Sequence, residues 1–202
     1  MRYTLSLILI FTASILFAQP SATKVDDRIG LIKTAQNKVL GYGFVAMNNN
    51  VIFTAADNIT FDQEMIFEDS NGKIYSLRVV ATDKVGNIGV LMSSEDIVQK
   101  PFGLNLNYSI DSETELFSTS SEMNNDNAKS SLQLVGKNSK IQKSKEFKFI
   151  ELTSDNSIEY TGMPIINAYG EVIGLISNKT VDDSKQVILT GSIMDGQMWK
   201  KM

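Results

Sequence analysis

An all-β chain arranged as two six-stranded antiparallel barrels with a short C-terminal helix is what this 202-residue sequence predicts. Three observations lead to it. Short apolar runs recur between turn residues, the pattern of an all-β protein rather than of helices. Asparagine-rich and Asn-Gly steps fall between those runs, where tight turns need φ > 0. The runs also divide into two groups of about six, separated by a stretch of mixed composition. With 43% hydrophobic residues, the chain can bury one sizeable core.

In the first group, strands are expected at Ile29–Thr34, Val39–Met47, Val51–Thr54, Glu64–Asp69, Ile74–Thr82 and Ile88–Met92. Asn48-Asn49-Asn50 and Asn71-Gly72 are the hairpin turns within it. Ser93 to Ser112 reads as a connector. The second group comprises Glu115–Thr119, Leu132–Lys137, Phe147–Thr153, Met163–Asn167, Val172–Ser177 and Val187–Gly191. Ser120–Lys129, dense in Ser, Asn and Asp, reads as an exposed loop. Its Asn124-Asn125-Asp126-Asn127 lacks the Gly and distal Glu of a calcium loop. Residues 192–202 carry Asp195 early and Lys200-Lys201 late, charges that suit the dipole of a short helix.

Ahead of the strands, Met1-Arg2-Tyr3-Thr4, the apolar run Leu5 to Phe17 and Ala18-Gln19-Pro20 have the order of a secretory signal peptide. The run is short for a bilayer span, which takes about 20 apolar residues. Residues 1–18 are thus expected to be a leader and 19–28 a polar lead-in. Residues 29–202 form the folded domain: 29–92 the first barrel, 113–191 the second, 192–202 the helix. The mature protein is expected to be periplasmic or secreted, with no membrane span after cleavage. Loss of Arg2 takes its net charge from −4 to −5. Dispersed Lys and Arg exclude a nucleic-acid footprint. The chain has no Cys and no His, so no cofactor, disulfide or zinc site is expected. No glycine-rich phosphate loop is present. Asn58-Ile59-Thr60, Asn107-Tyr108-Ser109 and Asn178-Lys179-Thr180 fit the glycosylation pattern, which chance often produces.

Three segments carry a more specific signal. The first is Gly41-Tyr42-Gly43-Phe44-Val45 followed by Val51-Ile52-Phe53-Thr54-Ala55-Ala56-Asp57. The second is Val79 to Leu91, V-V-A-T-D-K-V-G-N-I-G-V-L. The third is Thr161-Gly162-Met163-Pro164-Ile165-Ile166-Asn167, then Gly170-Glu171-Val172-Ile173-Gly174. In this order they resemble the trypsin-like serine proteases, especially the HtrA-type bacterial members. The resembling patterns are G-x-G-F-V with T-A-A-H, V-V-x-x-D-x-x-x-D-L-A-V-L, and S-G-G-P-L-x-N with G-x-V-I-G. The resemblance implies a double barrel with its site in the cleft between the halves.

The family's chemistry does not come with the skeleton. Where the resemblance places base, orienting acid and nucleophile, this chain has Asp57, Asn87 and Thr161. A triad needs an imidazole to take the nucleophile's proton near neutral pH. A carboxylate of ordinary pKa, about 3.9, is a weak base toward an alcohol there. Asn87 brings no negative charge, and an unactivated threonine hydroxyl is a poor nucleophile. Glu159 replaces the glycine of the oxyanion hole with a carboxylate, and Met163 is expected to crowd the same wall.

The resemblance therefore implies an exported, catalytically inactive homologue that binds or assembles with an envelope or secreted protein or peptide. In the family the strand after the nucleophile loop pairs with substrate backbone; its counterpart here is Gly174, Leu175, Ile176, Ser177 and Asn178. Two alternatives stay open. One is a hydrolase with a rearranged site, built from Asp57, Glu159 and Thr161. The other is a structural subunit of an envelope complex, its cleft irrelevant. Met194, Met198 and Trp199 at the C-terminus are apolar enough to dock a partner, but packing on the protein's own barrel is the expectation.

Overall fold

The computed structural model describes residues 26–109, 115–122, 129–143, 148–154, 161–181 and 187–193. The leader, residue 159 and residues 194–202 lie outside this set, and with them the expectations placed there. The first six strands are β1 (Ile29–Thr34), β2 (Val39–Val45), β3 (Val51–Thr54), β4 (Met65–Asp69), β5 (Ile74–Asp83) and β6 (Ile88–Ser93). All are antiparallel neighbours, and they close in the order β1-β2-β3-β6-β5-β4. The second six are β7 (Glu115–Glu122), β8 (Lys129–Lys143), β9 (Lys148–Ser154), β10 (Pro164–Ile166), β11 (Val172–Val181) and β12 (Val187–Ile193). They pair in the ring order β10-β11-β12-β9-β8-β7. The two ends of that sheet meet in one register pair, Ile166↔Phe117. A single 3₁₀ turn, Ala56–Asn58, follows β3.

The first barrel is filled by Ile32, Val45, Ile52, Phe67 and Leu91, with Met65, Tyr75 and Val98 around them. A second apolar layer lies on its outside. There Phe44, Phe53, Val90 and Phe102 pack with Leu116, Met163, Ile165, Val172 and Leu175 of the second sheet. This explains why β1 and β3 are buried at every residue. One face of each looks into the barrel and the other into the second sheet. Continuous apolar runs such as Val51-Ile52-Phe53 are what such strands require.

Several expectations change at the strand ends. β2 stops at Val45, not Met47, because Met47 takes φ +67, a conformation that ends a strand. The asparagines after it tie other segments down. The Asn49 carbonyl accepts from the N–H of Ile97 and Val98, and Asn50 Nδ2 donates to the Ser93 carbonyl at 3.0 Å. At Asn71-Gly72 the expected positive φ falls on Gly72 (+79), and Asp69 Oδ1 caps the turn by accepting from Asn71 N and Lys73 N. Ser120–Glu122 and Lys129, expected in a loop, are strand residues instead, pairing β7 with β8. Ser192, expected to begin a helix, pairs with Leu175 and Phe149 within β12. In both places backbone pairing overrides a polar composition.

The connector is less a linker than a strap. Phe102 forms a parallel bridge with Ala46, and Leu104 one with Val172, so one short stretch bonds to both halves. Phe102 stands edge-on to Phe44 at 6.2 Å, and Phe44 stacks on Phe53 at 5.8 Å. The Arg28 guanidinium lies 3.6 Å from the centroid of the Phe102 ring. Three residues after Phe102, Asn105 Nδ2 donates to Glu171 Oε2 at 2.8 Å, and Asn167 Nδ2 donates to the same oxygen at 2.9 Å.

Phe102→Ala is expected to cost about 3–5 kcal/mol, the usual range for emptying a buried phenylalanine site, measured as a lower urea midpoint. Glu171 supplies a pH effect. The hydrogen bond from Asn105, then that from Asn167, holds its carboxyl below the ordinary carboxylate range. A lowered pKa in the folded state stabilises at pH values above the unfolded value, about 4.3, and that contribution is lost as pH falls. Between about pH 5 and pH 3, the parent should therefore lose more stability than Glu171→Gln, whose amide oxygen accepts the same bonds without titrating. Parallel acid unfolding curves for the two proteins would remove this role.

Candidate functional site

The candidate site lies where the end of β3, the β5–β6 turn and the start of β10 converge. Beyond β3, Ala55 stays extended and the chain makes its 3₁₀ turn. That turn exposes Asp57 and buries Asn58. In the β5–β6 turn, Asp83 Oδ1 accepts from Val85 N and Gly86 N, both at 3.0 Å. The chain then reverses through Asn87 at φ +50, a left-handed conformation that asparagine tolerates better than most residues.

Asp57 and Asn87, 30 positions apart in sequence, are locked together. The Asp57 N–H donates to Asn87 Oδ1 at 3.0 Å, and Asn87 Nδ2 donates back to Asp57 Oδ2 at 3.0 Å. The same Nδ2 donates to the Ser177 carbonyl of β11 at 3.1 Å, and the Asn87 carbonyl accepts from Ala56 N at 3.2 Å. The environment dictates the amide's orientation. Its oxygen faces an N–H, and its NH₂ faces a carboxylate and a carbonyl. An aspartate at 87 would set a second carboxylate against both acceptors. In a protease triad the acid accepts from the base; the Asn87 amide instead donates to the Asp57 carboxylate.

Thr161 is held from behind. Its carbonyl accepts from Tyr42 N at 3.0 Å and from Asn58 Nδ2 at 3.1 Å. Gly162 follows at φ +96, where an added Cβ would come within 2.0 Å of the Tyr42 carbonyl oxygen, so only glycine fits. No hydrogen bond joins the Thr161 hydroxyl to Asp57 or Asn87 among the described residues. Met163, expected to crowd the cleft, is instead fully buried in the core between the two halves. Its carbonyl accepts from Ile176 N, and its side chain packs with Ile165 and Leu175.

Asn58 is the residue that sequence reasoning missed. It reads only as part of a glycosylation pattern, yet it is 4% exposed. Its Nδ2 donates to Thr54 Oγ1 at 3.0 Å and to the Thr161 carbonyl, with the Tyr42 carbonyl at 3.4 Å. The available signal was Gly41, whose missing side chain leaves the room that the Asn58 amide fills.

The strand-addition residues need correcting. Gly174 pairs with Ile165 on one side and Ile193 on the other, and Leu175 with Pro164 and Ser192. Ile176 pairs with Gly191, accepts from Gly162 N and donates to the Met163 carbonyl. Both edges of Gly174, Leu175 and Ile176 are therefore occupied, and the Ser177 carbonyl is bound to Asn87. Beyond a register shift between Ile176 and Asn178, the segment Asn178–Val181 pairs, among the described residues, with β12 alone. Among the described residues, the open edge of β11 begins at Asn178, the last of the five residues expected.

No protein-family profile and no curated protein matches the sequence. Solved structures do match. The serine endoprotease of Yersinia pestis superposes with a TM-score of 0.60 at 17% identity, over 87% of this chain and 61% of that one. The MamO protease domain of Magnetospirillum magneticum, in its apo form, gives 0.62 at 15% identity, over 87% of this chain and 96% of that domain. The fold is that of the trypsin-like serine proteases. This chain spans about three-fifths of the length of the Yersinia endoprotease. Within this fold, Asp57 and Asn87 are joined by two hydrogen bonds, and the Thr161 carbonyl is tied to the same wall through Asn58.

The bond from Asn87 to Asp57 yields a direct expectation. Asn87→Asp should destabilise the protein by about 1–3 kcal/mol at neutral pH, the cost of leaving a polar group unsatisfied beside like charge. The loss should shrink in acid as one carboxyl takes up a proton. Urea denaturation at two pH values measures both, and a variant as stable as its parent would contradict the geometry.

Proposed function

We propose that this chain is an exported, non-catalytic protein of the trypsin-like fold that binds an extended segment of another envelope or secreted protein. In this reading the two sheets are the two barrels of that fold, and the cleft between them has been kept for recognition. The observation that carries the reading is the Asn87 amide. It donates a hydrogen bond to the carboxylate that stands in the base position, where an orienting acid would accept one from the base. The whole chain has no imidazole to substitute for it.

The open stretch of β11 supports the binding half of the proposal. Among the described residues, the backbone groups beyond Ser177 have no partner on that edge, so they offer main-chain hydrogen bonds to an added strand, which supply affinity without chemistry. A fluorophosphonate probe and a casein-turnover assay test the catalytic half. Neither labelling nor turnover is expected; labelling that disappears in Thr161→Ala would establish a hydrolase and sink the proposal. For the binding half, amides of residues 178–181 should gain hydrogen-exchange protection when extended peptides are added.

A further inference from the structure

We propose that Asp57 recognises a cationic side chain, lysine or arginine, on the extended segment that pairs with the open edge of β11. This rests on the binding reading above and adds the chemistry of the partner.

Asp57 is exposed, but it is not a loose surface acid. Its own N–H and its Oδ2 are both engaged by Asn87, so the carboxylate is aimed without the help of any cation. The ion pairs among the described residues are Arg28–Asp26, Lys33–Glu68 and Lys73–Glu95; Asp57 takes part in none. Lys84 is the cation of the neighbouring turn and makes no ion pair with it, while Asp83 spends its Oδ1 on the backbone of that turn. Among the described residues, the negative charge is therefore fixed in place with no cation paired to it.

Its position relative to the strand edge is equally constrained. One nitrogen, Asn87 Nδ2, bonds Asp57 Oδ2 at 3.0 Å and the Ser177 carbonyl at 3.1 Å. The two oxygens thus lie no more than about 6 Å apart, since both are partners of one NH₂ group. A strand added beside Asn178–Val181 runs about 5 Å from β11. A lysine or arginine near the Ser177 end of that strand can span the gap with its flexible stem. A neutral segment in the same place would cover the carboxylate without pairing it, at a desolvation cost. An acidic one would add repulsion. The site selects its partner by both effects.

The probes are fluorescein-labelled Thr-Val-Thr-Val-Thr peptides in which a single lysine is moved through each position, each matched by the norleucine peptide. Binding is read by fluorescence polarisation on the mature protein and on Asp57→Asn, whose amide oxygen still accepts from Asn87. In one register the lysine peptide should bind about three- to fivefold tighter than its norleucine match, the size of an exposed ion pair. The advantage should fade in high salt and vanish in Asp57→Asn. If the norleucine peptides bind as well as every lysine peptide, or the lysine advantage survives Asp57→Asn, the inference is overturned and the binding reading stands. If neither series binds, both fall.

Discussion

The Asn87 amide is the joint on which the arrangement of this cleft depends. Its oxygen holds the backbone of the 3₁₀ turn after β3, and its nitrogen holds both the Asp57 carboxylate and the carbonyl of Ser177 in the other half of the molecule. Three segments distant in sequence meet on one planar group. Such a group has only two donor hydrogens and one acceptor oxygen, so their identities are coupled. A carboxylate at 57 requires a donor at 87, and aspartate cannot be one while ionised.

Around that joint, a second polar node ties the same walls together. Asn58 Nδ2 reaches Thr54 Oγ1 and the Thr161 carbonyl, while Thr54 Oγ1 donates to the Tyr42 carbonyl at 2.6 Å. Tyr42 in turn donates its N–H to Thr161. Buried polar groups of this kind are costly unless satisfied, and a satisfied network permits few alternative arrangements. These walls thus hold a defined arrangement around the Asn87 amide. That arrangement is what the proposed binding role draws upon.

The apolar layer beneath explains why the cleft exists at all. Phe44, Phe53 and Phe102 from one side meet Met163, Ile165 and Leu175 from the other, and the strap from Val98 to Leu104 is bonded to both. Sheets packed through such a layer expose their strand ends and loops along the seam. The Thr161 segment, the Asp57 turn and the Asn87 turn all lie at that seam.

By itself, the sequence determined the strands whose burial is two-sided. Ile29–Thr34 and Val51–Thr54 have the same limits in both readings, because a continuous apolar run between turns leaves little choice. The positive φ at Gly72 and the proximity of Asp57 to Asn87 were legible too, the first from turn chemistry and the second from motif order. Tertiary structure alone decided the rest. β8 runs from Lys129 to Lys143 although much of it is polar, since ladder bonds to β7 and β9 extend it and periodicity cannot register them. Met163 turns inward to pack with Ile165 and Leu175, and Asn58 becomes a buried bridge only because Tyr42 and Thr161 come to it from far along the chain. Among the described residues, the open edge of β11 starts after Ser177 because β10 ends and Gly162 and Met163 take the last backbone groups before it. Hydrogen-bond partners are assigned in space, and a linear pattern of residue types does not contain that assignment.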